Sequence, residues 1–156
     1  MSTIFILGGY GYTGKLLAKH LLAQTKVQII IAGRSEDKAK VFADELNDPR
    51  VSARRADASD FENLTKALED ATLCLVAAPT THHAETVIRA CIAAHTDYLD
   101  VQFSSKKLEA LHCVAEEIKQ AGLCFTTASV RRRIFFSSPV NTCHPCSAPG
   151  RPYCFR

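Results

Sequence analysis

The residues Gly8-Gly9-Tyr10-Gly11-Tyr12-Thr13-Gly14 satisfy two glycine spacings at once, Gly9-x-Gly11-x-x-Gly14 and Gly8-x-x-Gly11-x-x-Gly14. They follow a short apolar run at residues 4–7 and open a helical pattern. Strand, tight turn and helix in that order form the setting in which such glycines bind an anion. The early glycines allow a turn closed to residues with a Cβ, and Gly11 lets a pyrophosphate approach the main chain. Gly14 permits close packing of helix on strand. Backbone N–H groups near residues 11–13 then point outward from a helix N-terminus, whose dipole also favours negative charge. A purely structural glycine turn is the competing reading, and the strand before it and helix after it argue against that.

A dinucleotide cradle of this kind declares its nucleotide about 20 residues further on, where NAD-binding chains place an Asp or Glu for the ribose hydroxyls. Here the segment is Ala32-Gly33-Arg34-Ser35. Without a carboxylate the 2′-phosphate of NADP(H) is not repelled, and Arg34 offers it a planar, charge-assisted contact worth about 1.5–3 kcal/mol. Ser35 adds a hydrogen-bonding group, and Lys38 is a third candidate. The alternative is a solvated loop arginine. Asp57 and Ala58 follow the third strand, where the rim of such a sheet meets adenine, and Ala77 to Thr80, with Ala78 and Pro79 among them, follow the fourth, beside the switch point. Asp57 reads equally well as a solvated turn residue.

Other residue groups carry less. His82-His83-x-Glu85 places adjacent histidines about 100° apart on a helix with no third ligand, which is the pattern of a solvated helix start. Cys143-x-x-Cys146, near His144 and Cys154, lacks the second pair of a zinc site. No metal is expected. Neither Tyr12 nor Tyr98 is followed by the Tyr-x-x-x-Lys spacing of short-chain dehydrogenases, and no catalytic acid, base or nucleophile can be named.

The elements that must position these residues alternate in type. Residues 4–7, 27–32, 73–78, 98–101 and 123–127 read as buried strands, and residues 51–56 as a strand supported more by position than by composition. Between them fall helical patterns. The first carries Leu16, Leu17, His20 and Leu21 on one face. The second is capped by Ser35, with Ala39, Phe42, Ala43 and Leu46 inward. A capping box, Ser59-Asp60-Phe61-Glu62, opens the third. After Pro79 a helix turns Ala84, Val87, Ile88, Cys91 and Ile92 inward, and one further helix spans residues 105–120 before Gly122. Strand and helix in alternation with right-handed crossovers give an α/β, doubly wound parallel sheet of Rossmann type, in the order 3-2-1-4-5-6.

A chain of 156 residues, 47% hydrophobic, has material for one core. We therefore expect one dinucleotide-binding domain at residues 1–128 and an irregular, basic, Cys/Pro-rich tail at 129–156, where residues 134–136 are the only strand-like run. All 16 acidic residues lie at or before Glu117, so the net charge of +3 is concentrated in the tail. A basic tail without an aromatic platform or recognition helix does not make a nucleic-acid-binding protein. The apolar runs fall far short of the roughly 20 residues of a membrane span, and the N-terminus lacks a signal-peptide pattern. Cys74, Cys91, Cys113 and Cys124 sit in apolar-periodic segments as reduced, buried thiols. The expected location is cytoplasmic.

The stretches Ile6-Leu-Gly-Gly-Tyr-Gly-Tyr-Thr-Gly-Lys15, Ile31-Ala-Gly-Arg-Ser35, Leu75-Val-Ala-Ala-Pro79 and Cys91-Ile-Ala-Ala-His-Thr-Asp-Tyr-Leu-Asp100 resemble the NADP-binding domain of the saccharopine dehydrogenase-like oxidoreductases, including their trans-acting enoyl reductase relatives. The last is similar to the family's Cys-x-x-x-Gly-x-x-Tyr-x-Asp signature. His95 stands where the family usually has glycine, and Gln102-Phe103 replaces its Gly-Glu. The resemblance covers roughly residues 3–127. It implies NADP(H) as cofactor, hydride transfer to or from a small-molecule substrate, and a second domain beyond the sixth strand. That domain is not found in residues 129–156, so a truncated product is expected. The alternative function is a non-catalytic NADP-binding sensor or interaction module. A homo-oligomer is compatible with either.

Overall fold

The computed structural model describes residues 2–127. The basic tail, with the strand-like run at 134–136 and the cysteine pair Cys143 and Cys146, lies outside the described residues, as does Ala128.

Six parallel strands form one sheet in the order β3-β2-β1-β4-β5-β6. They are β1 (Thr3–Leu7), β2 (Gln28–Gly33), β3 (Val51–Arg55), β4 (Leu73–Val76), β5 (Asp97–Asp100) and β6 (Phe125–Thr127). The helices are α1 (Tyr12–Gln24), α2 (Glu36–Leu46), α3 (Phe61–Leu68), α4 (Ala84–Ala93), α5 (Ser105–Cys113) and α6 (Ala115–Ala121), with a single 3₁₀ turn at Thr81–His83. The expected doubly wound order is therefore the one observed.

Alternation along β1 divides the core. Phe5 and Leu7 face a cluster completed by α3, α4, α5 and α6 through Leu64, Leu68, Ile88, Leu111 and Ile118. Ile6 faces the other way, with Ile29 and Ile31, toward Ala18 of α1 and Ala39 and Phe42 of α2. Strands covered on both faces have no polar side to show, which is why β1 and β2 read as continuous apolar runs. Edge strand β3 lacks that signal. It is held by its ladder to β2 and by Arg54, whose guanidinium donates to Ala67 O at 2.7 Å and to Asp70 Oδ2 at 3.0 Å.

Four expectations need correction. The inward side of α1 is Gly14 and Ala18, flanked by half-buried Leu17 and Leu21, while Leu16 is 53% exposed and His20 is exposed. Small residues face the sheet because α1 lies so close to it. The cap of α3 is Asp60, whose carboxylate accepts from Asn63 N–H at 3.0 Å; Ser59 instead bonds to Asp57. The helix expected over residues 105–120 is two helices, broken at Val114 (φ −112°, ψ 15°), with Leu111, Val114 and Ile118 all in the core. Cys113 is exposed, and Cys124 is half-buried; of the four cysteines among the described residues only Cys74 and Cys91 are buried, and burial pushes the Cys91 thiol up.

Two helices end in the same way. Beyond α6, Gly122 has φ +69°, with Gly122 N–H bonded to Lys119 O and Leu123 N–H to Ile118 O. Beyond α4, His95 has φ +50°, with His95 N–H bonded to Ile92 O and Thr96 N–H to Cys91 O. Both are Schellman closures, which normally place glycine at the left-handed residue.

Candidate functional site

The chain reverses between β1 and β4: α1 leaves β1 on one face and α4 follows β4 on the other. Strand order changes direction here, and a crevice opens at the carboxyl ends of the strands. The crevice is a cleft of ≈ 390 Å³ lined by residues from the turns after β1, β2, β3 and β4. That volume is within the range of small-molecule sites.

The glycine turn forms its floor. Gly8 adopts φ +83°, and a Cβ there would lie 2.7 Å from Ala78 Cβ, so the turns after β1 and β4 touch. Gly8 N–H and Gly9 N–H both bond to Ala32 O, tying the turn to β2. A Cβ on Gly14 would lie 2.3 Å from Gly8 O and 2.6 Å from Gly9 Cα, which is the close approach of helix to turn inferred from spacing. Gly11 is different: its Cβ position meets only Gly8 O, at 3.1 Å, and otherwise faces open space. One expectation changes, because Gly11 N–H is bonded to Gly8 O at 3.0 Å and is not free for an anion. The N–H groups of Tyr12 and Thr13, in the first turn of α1, have no hydrogen-bond partner among the described residues. They are the unsatisfied donors that any helix N-terminus carries.

Of the candidate residues, Gly8, Tyr10, Gly11, Arg34, Asp57, Ala58, Ala78 and Pro79 line the cleft. Gly9, Tyr12, Thr13, Gly14 and Ser35 do not; Gly9 is packed against Ile31, and Tyr12 is 84% exposed. Ser35 caps α2, its hydroxyl accepting from Lys38 N–H at 3.4 Å.

Asp57 is both a turn residue and a cleft residue. Its carboxylate accepts from Ser59 N–H at 3.0 Å and Ser59 Oγ–H at 2.7 Å. Those bonds, with the positive charge of Arg34 and His83 nearby, hold the carboxyl below its ordinary value. His83, read from sequence as a solvated helix start, is exposed but turned into the cleft. Thr80, a candidate from its position after the fourth strand, lies here too. It is 3% exposed, its Oγ1 has no hydrogen-bond partner among the described residues, and it lines the cleft. A buried hydroxyl left unpaired costs about 1–3 kcal/mol unless something supplied from outside completes it. Among the described residues no three His, Cys, Asp or Glu side chains stand together to hold a metal, and no helix is long and apolar enough to cross a membrane.

Beyond the cleft, β5 ends in a buried polar cluster that sequence reading missed. Asp100 accepts from Tyr98 O–H at 2.8 Å and from Gln102 N–H at 2.8 Å, and Lys107 Nζ lies 2.6 Å from its Oδ2. Burial and the neighbouring carboxylate hold the Tyr98 phenol well above its ordinary range, so it remains a donor. The polar neighbours of Lys107 in the sequence, Ser104, Ser105, Lys106 and Glu109, gave no sign that its side chain would turn inward.

A doubly wound parallel sheet, a glycine turn opening a helix and a cleft at the switch point define a dinucleotide-binding domain. Residues 4–125 match the family model described as the saccharopine dehydrogenase NADP binding domain, and the chain belongs to that family, whose cofactor is NADP(H). Among solved structures it is similar to apo saccharopine dehydrogenase (L-Glu forming) from Saccharomyces cerevisiae, at 23% identity and a TM-score of 0.70, over 81% of this chain and 27% of that one. It is similar also to triphenylmethane reductase from Citrobacter sp. complexed with NADP(H), at 22% identity and a TM-score of 0.63, over 80% of this chain and 48% of that one. An NADPH-dependent quinone oxidoreductase from Escherichia coli, complexed with NADPH, gives 21% identity and 0.63, over 80% and 47%. These likenesses show the fold, and this chain spans between about a quarter and a half of those proteins.

Proposed function

We propose that this chain binds NADP(H) in the cleft at the β1/β4 switch point and serves as the cofactor domain of a hydride-transferring oxidoreductase. The observation that carries the reading is the combination in one cleft of an open Gly11 and of Arg34 in place of a ribose-binding carboxylate, with unpartnered N–H groups at Tyr12 and Thr13 directly after Gly11 in the first turn of α1. In this reading the turn from Gly8 to Gly14 holds the pyrophosphate, and Arg34 and Ser35 meet the 2′-phosphate. Asp57 and Ala58 border the adenine, and Ala78 and Pro79 face the nicotinamide end. Thr80 Oγ1 is the polar atom on that side that a ligand would complete. When bound, the nicotinamide supplies the hydride chemistry. The chain's own residues orient it and exclude water along Leu7, Ala56 and Ala77.

The reading extends to a small-molecule substrate and to residues 1–128 as the domain unit. It also extends to a cytoplasmic setting, supported by four unpaired cysteines among the described residues. Thermal unfolding with and without NADPH tests the binding, because a ligand of the folded state alone must stabilise it. At 100 times its Kd the gain is about 2.7 kcal/mol, and an unmoved transition at millimolar NADPH overturns the reading. Adding candidate imines or enoyl compounds to the NADPH complex then separates hydride transfer from cofactor binding without turnover.

A further inference from the structure

Tyr10 is the third residue of the glycine turn, yet its side chain is engaged with the neighbouring strand. The ring lies on the backbone of Gly33 at the end of β2: a Cβ on Gly33 would sit 2.5 Å from Tyr10 Cε1 and 2.9 Å from Cζ and Oη. The hydroxyl accepts a hydrogen bond from Ser35 N–H at 3.2 Å. Arg34 is thus flanked by two anchored residues. Gly33 lies under the ring and accepts from Ala56 N–H at 2.9 Å, while Ser35 is held by the phenol and caps α2. Tyr10 and Arg34 line the same cleft.

A phenol has one proton and two lone pairs. Accepting from Ser35 N–H uses a lone pair and leaves the O–H proton, for which no described residue is an acceptor. An anion drawn in by Arg34 meets this donor beside the guanidinium. A neutral ribose hydroxyl gains much less from the same pair, since hydrogen bonds to an ionised group are roughly twice as strong.

We infer that Tyr10 is a specificity-determining residue of the cofactor site, holding the Arg34–Ser35 segment through Ser35 N–H and donating its own proton to the 2′-phosphate of NADP(H). This rests on the proposed cofactor reading and adds to it. A side chain from the pyrophosphate turn acts at the opposite end of the nucleotide half.

Calorimetric titration of NADPH and of NADH into wild type, Tyr10→Phe and Arg34→Ala tests it. Tyr10→Phe keeps the ring on Gly33 and removes only the hydroxyl. The expected result is a Kd for NADPH raised about tenfold. NADH binding should stay within about twofold, because both cofactors share the pyrophosphate. Comparing the two cofactors within one variant cancels any general loss of folding. If Arg34→Ala abolishes the preference for NADPH while Tyr10→Phe leaves it intact, or if Tyr10→Phe weakens both cofactors equally, the role of Tyr10 is overturned and the cofactor reading stands. If wild type shows no preference for NADPH, the reading beneath it fails as well.

Discussion

Lys107 Nζ lies 2.6 Å from Asp100 Oδ2, and both side chains are wholly buried at the carboxyl end of β5. Removing one member of such a pair strands an uncompensated charge, which costs about 3–5 kcal/mol. Lys107→Met should therefore lose a large fraction of the domain's stability in urea unfolding. The double variant Lys107→Met/Asp100→Asn should lose clearly less than the two single losses combined, since neither charge remains. Strictly additive losses would show that the pair is not coupled.

Gly14 is placed where a methyl group has nowhere to go. Its Cβ position is 2.3 Å from Gly8 O and 2.6 Å from Gly9 Cα, both backbone atoms of the turn itself. Gly14→Ala must push α1 off the turn. Overpacking of this kind costs about 1–3 kcal/mol. Denaturant unfolding should register that loss, and NADPH affinity should fall with it because the turn moves.

His95 offers the opposite case. It sits at φ +50° in the closure after α4, where Gly122 occupies the equivalent place after α6. A left-handed residue with a Cβ costs roughly 1–2 kcal/mol, partly offset by the 0.5–1 kcal/mol that glycine loses in chain entropy. His95→Gly should raise stability by about 0.5–1 kcal/mol, read as a higher urea midpoint with an unchanged slope. A lower midpoint would mean that the His95 side chain contributes more than its backbone costs.

Asp57 has a carboxyl held down first by Ser59 N–H, then by Ser59 Oγ–H, with Arg34 and His83 adding positive charge. A carboxyl depressed in the folded state stabilises it fully above the unfolded pKa, about 3.9, and the contribution fades as pH falls through the folded value. Near neutral pH Asp57 is therefore ionised. Ser59→Ala deletes the side-chain bond and should move the carboxyl back toward its ordinary value, as followed by NMR titration of the Asp57 side-chain carbon from pH 6 downward. An unmoved midpoint would assign the shift to the backbone bond and the nearby charges alone.

These predictions draw unequally on what the sequence made legible. Buried parallel strands announce themselves, because Ile29, Ile30 and Ile31 must be apolar on both faces, and the glycines announce a turn whose geometry only they accept. Arg34 was readable because of a residue it replaces. Features set by a side-chain partner on another element were not. Nothing around Lys107 reveals that Asp100 waits inside the fold, and nothing in a turn tyrosine reveals that Gly33 leaves room for its ring. Leu16 looked inward because it is apolar, but α1 lies so close to the sheet that only Gly14 and Ala18 fit beneath it. Thr80 was legible only through its place after the fourth strand, and His83 enters the cleft through the path of the chain beyond it, which residue type does not encode.

The central claim is that the cleft at the switch point takes NADP(H) and distinguishes it by the charge on its 2′-phosphate. Calorimetric titration of NADPH and NADH into wild type and Arg34→Ala measures that claim most directly. The account predicts one site per chain, tighter binding of NADPH than of NADH, and a loss of about 1.5–3 kcal/mol for NADPH alone on removing Arg34. Equal affinities for the two cofactors in wild type, or no change in either with Arg34→Ala, would contradict it.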